Sequence, residues 1–193
     1  MDPTSSAEGQ LSLKQRTTLL EVARASIVSG LEQGRRYSPD LNDYPPRLRE
    51  QQACFVTLHL DGELRGCVGS LRAHSPLVEG IAQSAYSAAF RDPRFPPLCQ
   101  PELKQLHLHI SALSVPKPMQ FADEADLLSQ LRPGIDGLVL TDGGHVGTFL
   151  PAVWEKMPEP AVFFAHLRAK AGLSPGHWSN TLKVERYTTE SFD

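Results

Sequence analysis

Hydrophobic positions recur along this chain with two different periods, and the changes of period mark out its elements. Over 11–34, Leu13, Leu19, Leu20, Ala23, Ile27 and Leu31 return at helical spacing, with Ser12 placed as a cap and Gly30 and Gly34 as stops. One long amphipathic helix is predicted there. Residues 35–52, with Pro39, Pro45, Pro46 and several charges, read as an extended loop long enough to cover a site. Period two then takes over, and 53–60 and 63–71 flank Asp61-Gly62, a hairpin signal. Cys54, Val56, Leu58 and Leu60 form one alternating set, and Leu64, Gly66 and Val68 form another. These sets share a face only across a loop with an odd number of residues, such as a three-residue turn with a glycine bulge. An even loop sets Leu58 opposite Arg65 and Val56 opposite Cys67. The apolar match selects the odd loop, which puts Arg65, Cys67 and Gly69 on the other face with Phe55, Thr57 and His59.

Ser75-Pro76 predicts the start of a second helix, with Ser75 capping and Pro76 in the first turn. Its face is Leu77, Val78, Ile81, Ala82, Ala85, Ala88, Ala89 and Phe90, small enough for close packing, and Pro93, Pro96 and Pro97 forbid its continuation. Leu106, Leu108 and Ile110 alternate with His107, His109 and Ser111, a half-buried strand within 103–115. A short helix follows over 123–131. Strands over 137–142 and 145–150 flank Gly143-Gly144, a second hairpin; helices over 151–156 and 161–171 and a last strand over 181–188 complete the order. The fold class is α+β: a mixed, largely antiparallel sheet with flanking helices, in a larger and a smaller subdomain.

Composition narrows the setting. The 193 residues suffice for one substantial core or two small lobes, and no stretch reaches the length of a membrane span. Net charge is −3 with no Lys/Arg run, which argues against nucleic-acid binding through phosphate neutralisation. Residues 1–10 read as a polar, disordered tail without the layout of a signal peptide, and 11–193 as the folded domain. Cys54, Cys67 and Cys99 are odd in number and lack CxxC spacing, which fits free thiols and a cytoplasmic location.

The candidate chemistry centres on Leu64-Arg65-Gly66-Cys67-Val68-Gly69. Residues two apart on a strand project from one face, so Arg65 and Cys67 are expected to point the same way. A guanidinium beside a thiol favours the reactive thiolate, and the flanking Gly66 and Gly69 leave room for a ligand. The alternative is that Cys67 is a small buried hydrophobe. His107 and His109 share a strand face, but nothing at ligand spacing completes a metal set, so no metal or cofactor is expected.

These blocks resemble the AMMECR-one domain family, called AmmeMemoRadiSam system protein A in prokaryotes. Leu64-Arg65-Gly66-Cys67-Val68-Gly69 matches its LRGC(I/V)G signature, and Asp92-Pro93-Arg94-Phe95-Pro96-Pro97 its DxRFPP segment. Glu102-Leu103 with Ser111-Ala112-Leu113, Gly134-Ile135-Asp136-Gly137 with Gly147-Thr148-Phe149-Leu150-Pro151-Ala152-Val153, and Leu167-Arg168-Ala169-Lys170-Ala171-Gly172 match further blocks in order. The resemblance spans about 11–192 and implies an α+β fold in two subdomains. It also implies association with a Memo-like protein and a radical S-adenosylmethionine protein.

Three functional readings stand. In the first, the chain is an accessory or substrate protein of that system, and Cys67 is modified, carries a group or acts as nucleophile, with Arg65 stabilising the thiolate. Asp92, Arg94, Phe95, Ser111, Thr148 and Pro151 then line the cleft with Gly66 and Gly69. The bland alternatives are an internal Asp92–Arg94 ion pair, and Thr148 and Pro151 shaping the second hairpin. In the second, a cysteine-dependent enzyme acts on a small acyl or amide substrate, with His59 as base. In the third, the chain is a non-catalytic module that binds a peptide or nucleotide.

Overall fold

The structure is a computed structural model that describes residues 10–193; the tail predicted for 1–10 therefore lies almost wholly outside the described residues. In chain order the elements are α1 (Leu13–Gln33), α2 (Pro46–Arg49), β1 (Cys54–Leu60), β2 (Glu63–Gly69), α3 (Leu77–Phe90) and β3 (Leu106–Leu113). There follow β4 (Lys117–Pro118), α4 (Glu124–Ser129), β5 (Gly137–Asp142), β6 (His145–Phe149), α5 (Pro160–Lys170), β7 (Lys183–Tyr187) and β8 (Thr189–Phe192). The chain divides into two compact units. One holds the residues up to Leu113 together with Glu190–Asp193, and the other is Ser114–Thr189.

The first unit is a four-stranded sheet in the order β2-β1-β3-β8, with α1 and α3 on one face. α1 begins where the sequence says: the Ser12 hydroxyl accepts the Gln15 N–H while the Gln15 side chain accepts the Ser12 N–H. It ends at Gly34, whose φ of 68° is the left-handed conformation that glycine adopts without strain. Val56 and Leu58 of β1 and Ile110 and Leu108 of β3 point inward, meeting Leu19, Val22, Ala23 and Ile27 of α1 and Leu77, Ile81, Ala85 and Ala88 of α3. Burying each of the larger side chains contributes about 1.5–3 kcal/mol. The small residues of α3 bring its backbone onto the sheet, so close that a Cβ on Gly66 would lie 3.0 Å from the Ala88 carbonyl carbon.

The second unit has its own sheet, β4-β7-β5-β6, and its own core of Leu127, Leu138, Leu140, Phe163, Phe164, Leu167 and Val184. Trp154 stacks on Phe163 with ring centroids 3.7 Å apart. Tyr187 is fully buried over Gly137, and its hydroxyl donates to the Phe149 carbonyl at 3.0 Å.

The α+β class is borne out, its strands forming two antiparallel four-stranded sheets. Several finer expectations need correcting. The loop over 35–52 contains a 3-10 turn (Leu41–Asp43) and α2. Pro76, not Ser75, is the residue before α3, and no side chain caps it. The strand predicted over 181–188 is β7, and a further, unpredicted strand, β8, follows it and belongs to the other sheet.

Candidate functional site

The first hairpin sets Gly66 and Val68, but not Leu64, opposite the apolar residues of β1 as predicted, and does so by an unpredicted route. Leu60 pairs with Glu63, so Asp61 and Gly62 form a two-residue turn, and Asp61 adopts a positive φ of 51°. The register shifts farther along: His59 pairs with Leu64 and Leu58 with Gly66, leaving Arg65 as a bulged extra residue. Beyond the bulge Val56 faces Val68, Thr57 faces Cys67 and Phe55 faces Gly69. Leu64 is thereby turned out to solvent, and Arg65 is buried.

The bulge directs Arg65 to a carboxylate. Its Nε and Nη2 donate to the two Glu102 oxygens at 2.7 and 3.2 Å, a bidentate pair. The expected role of Arg65 as stabiliser of the Cys67 thiolate therefore meets a competing partner, since this guanidinium is held by Glu102. The Arg65 hydrogen bonds, with help from the Cys99 N–H, bring the Glu102 carboxyl down to about 2. Phe95 lies beside the pair, its ring centroid 6.0 Å from Arg65 Cζ.

A different ion pair grips Cys67. Its backbone N–H donates to Asp92 Oδ2 at 2.9 Å, and its carbonyl accepts from Arg94 Nη2 at 3.2 Å. Asp92 is itself bound through both oxygens by Arg94, at 2.6 and 2.9 Å, and these bonds hold its carboxyl well below the usual range. β2 is an edge strand, and Asp92 and Arg94 fill the donor and acceptor that a neighbouring strand would have taken. The Cys67 side chain lies on the outer face, half-buried, and Thr57 Oγ1 donates to its sulfur at 3.3 Å.

The three thiols now separate. Cys54 is buried beneath Gly80, and desolvation pushes it up to about 11. Exposed Cys99 donates its S–H to Glu102 at 3.2 Å, which raises its pKa. Cys67 pairs with the Thr57 hydroxyl at 3.3 Å, closer than the 4.0 Å between Cys54 Sγ and Ser84 Oγ.

The flanking glycines have packing reasons. Gly66 is glycine because α3 lies on it, and a Cβ on Gly69 would come within 2.6 Å of Phe55 Cα. His59 shares the outer face, paired in register with Leu64 and His107, but makes no hydrogen bond among the described residues and none to Cys67. Ser111 Oγ is 2.9 Å from Ser191 Oγ, joining β3 to β8. Thr148 and Pro151 belong to the second unit. Thr148 Oγ1 donates to the Leu138 carbonyl at 2.8 Å and lies 3.2 Å from the Tyr187 hydroxyl, while Pro151 is buried at the start of a 3-10 turn. Among the described residues no three His, Cys, Asp or Glu groups are placed to hold a metal ion.

Two participants were not singled out beforehand. Thr57 was visible in the hairpin register as the partner of Cys67. Glu102 stood in a family-matching block, but nothing local showed its partner, because Arg65 lies 37 residues away. The second unit also has a cavity of about 760 Å³, lined by Met119, Phe121, Trp178, Leu182, Lys183 and Glu185 among others. It contains no thiol and none of the residues that the sequence highlighted.

Comparison with known proteins gives consistent results. A family model described as AMMECR1 matches residues 20–192. Protein MJ0810 of Methanocaldococcus jannaschii is 34% identical over 187 residues, covering 95% of this chain and 92% of the relative. A protein of Thermococcus gammatolerans is 36% identical over 186 residues, covering 91% and 88%. The crystal structure of the uncharacterized protein PH0010 from Pyrococcus horikoshii superposes with a TM-score of 0.81 at 33% identity, covering 90% of this chain and 88% of that one.

Proposed function

The chain belongs to the AMMECR1 family, and on that footing we propose that it is a protein component whose Cys67 thiol is the site of covalent modification or group carriage. Its partners in this reading are a Memo-like protein and a radical S-adenosylmethionine protein. The observation that carries the proposal is the treatment of one residue: Cys67 is bound at its N–H by Asp92, at its carbonyl by Arg94 and at its sulfur by Thr57. A half-buried thiol fixed at three points is preorganised for reaction, because little orientational freedom remains to be lost. Cys54, by contrast, is buried in the core, with the Ser84 hydroxyl 4.0 Å from its sulfur.

In the carriage reading the Cys67 thiolate attacks the carbonyl carbon of an activated acyl donor. A C–S bond forms, the donor's leaving group departs with its bonding pair, and the thiol proton goes to solvent. Hydrolysis by this chain alone has less support, since His59 makes no hydrogen bond to Cys67 and no base–nucleophile pair is assembled among the described residues.

Intact-mass spectrometry tests the proposal on protein co-expressed with both partners and on protein expressed alone. An adduct that requires the partners, maps to the Cys67 peptide and disappears in Cys67→Ser is the expected result. Unmodified protein in both preparations, or an adduct that survives Cys67→Ser, overturns it.

A further inference from the structure

The Asp92–Arg94 pair is lopsided. The Asp92 side chain is 3% exposed and that of Arg94 53%. Both carboxylate oxygens are filled, Oδ1 by the Arg94 N–H and Nε, and Oδ2 by Arg94 Nη2 and the Cys67 N–H. The guanidinium is not filled: Nε and Nη2 have acceptors, whereas Nη1 has none among the described residues. A buried anion joined to an exposed cation is a dipole whose positive end faces the solvent. Asp92, and to a smaller degree Cys67, also hold Arg94 firmly in its charged form.

A second, independent sign lies near Phe95. The ring centroid is 5.4 Å from Arg94 Cζ and 6.0 Å from Arg65 Cζ, so both guanidiniums lie close to one aromatic side chain. Arg65 is about nine-tenths buried, and its Nη1 is buried without an acceptor. Folded proteins seldom leave buried donors idle, and a guanidinium edge with no acceptor fits an oxyanion.

We propose that Arg94 is the anion-selecting residue of this site: the group that reacts at the Cys67 sulfur bears an oxyanion, which Arg94 Nη1 binds while Nη2 holds the Cys67 carbonyl. The inference rests on Cys67 being the reacting thiol. Arg94 is ion-paired as Arg65 is, but it is the exposed one of the two and keeps Nη1 open, so it supplies the solvent-facing positive end.

Two reagents of nearly the same shape but different charge test this on the folded full chain: iodoacetate and iodoacetamide. With either one the thiolate attacks the CH2 carbon, a C–S bond forms, iodide leaves with the C–I pair, and the thiol proton goes to solvent. Products on the Cys67 and Cys99 peptides are quantified by mass spectrometry at low ionic strength. Cys99, beside Glu102, is the internal control. The iodoacetate-to-iodoacetamide rate ratio at Cys67 is expected to exceed that at Cys99. It should fall about fivefold in Arg94→Gln, the size expected for one half-exposed charge, while the Cys99 ratio stays put. Arg94→Lys should retain most of the preference, and salt at about 1 M should remove it.

A Cys67 ratio that Arg94→Gln leaves unchanged overturns the inference and leaves the thiol reading intact. If Cys67 reacts with neither reagent in folded protein but with both in urea, the thiol reading falls as well. Should Arg94→Gln fail to fold, the salt series on the wild-type chain decides, and a ratio insensitive to salt overturns the inference.

Discussion

Gly66→Ala is the substitution whose effect can be worked most directly from the geometry. A methyl group there would lie 3.0 Å from the Ala88 carbonyl carbon and 3.6 Å from its Cα, with the carbonyl oxygen nearer still. Carbon atoms in contact prefer about 3.5–4.0 Å, so β2 and α3 must separate by about 0.5 Å or more. Neither side can give by changing a rotamer, because both are backbone. α3 carries Leu77, Val78, Ile81, Ala82, Ala85, Ala88 and Ala89 into the core, and moving it opens gaps along that whole face. Overpacking costs typically 1–3 kcal/mol, and with backbone on both sides the upper end, about 3 kcal/mol, is expected. For a chain of this size that lowers the melting temperature by about 6–12 °C. Far-UV circular dichroism is the appropriate readout, since Trp154 and Trp178 both lie in the second unit and their fluorescence reports on that unit. Gly80→Ala in the same helix is the control: its Cβ would meet only the Cys54 and Ser75 side chains, at 3.3 and 3.4 Å. There the gain in helix propensity, up to about 1 kcal/mol, offsets the tighter contact. A Gly66→Ala protein that melts with the wild type would refute the packing account of the glycine before Cys67.

Other consequences are equally open to measurement. Glu102 and Asp142 titrate at about 2 in the folded chain, Glu102 through Arg65, and Asp142 through hydrogen bonds from Thr181, Ser179 and His177; Asp92 is lower still through Arg94. Unfolded carboxyls take up protons near about 4, so below that pH the unfolded state binds more protons. Their stabilisation is complete above about pH 5 and is lost as the pH falls toward the folded values. Melting temperatures should follow that course, and Glu102→Gln should show a lower plateau and a shallower acid limb; a limb as steep as the wild type's would remove Glu102 from the account. Asp142 also pins the segment after α5, receiving His177 Nε2, Ser179 Oγ and Thr181 Oγ1 at 2.6–2.7 Å. Asp142→Ala should speed limited proteolysis within 174–182 several-fold, and unchanged cleavage would show that the segment is held by other contacts.

Some features were legible from neighbouring residues alone. Ser12 and Gly34 delimited α1 because a helix end is closed by groups within a few residues of it. The facing of Val56 with Val68, and of Thr57 with Cys67, followed from alternation. How that facing arises was not legible, because an odd loop and a bulge each add one residue and change the parity identically. Apolar alternation counts parity, so it could not tell a three-residue turn from a displaced Arg65.

The chain's own order of hydrophobic and polar residues thus determined most of the helices and strands and, outside the Leu64–Arg65 bulge, which side of each is buried. Tertiary structure alone decided which polar group answers which. Glu102 meets Arg65 across 37 residues, and Asp92 meets the Cys67 N–H across 25. Periodicity records the local demand to hide apolar surface, a demand that any well-placed neighbour can meet. A buried guanidinium or amide needs a particular partner at hydrogen-bond distance, and only the assembled fold brings that partner there.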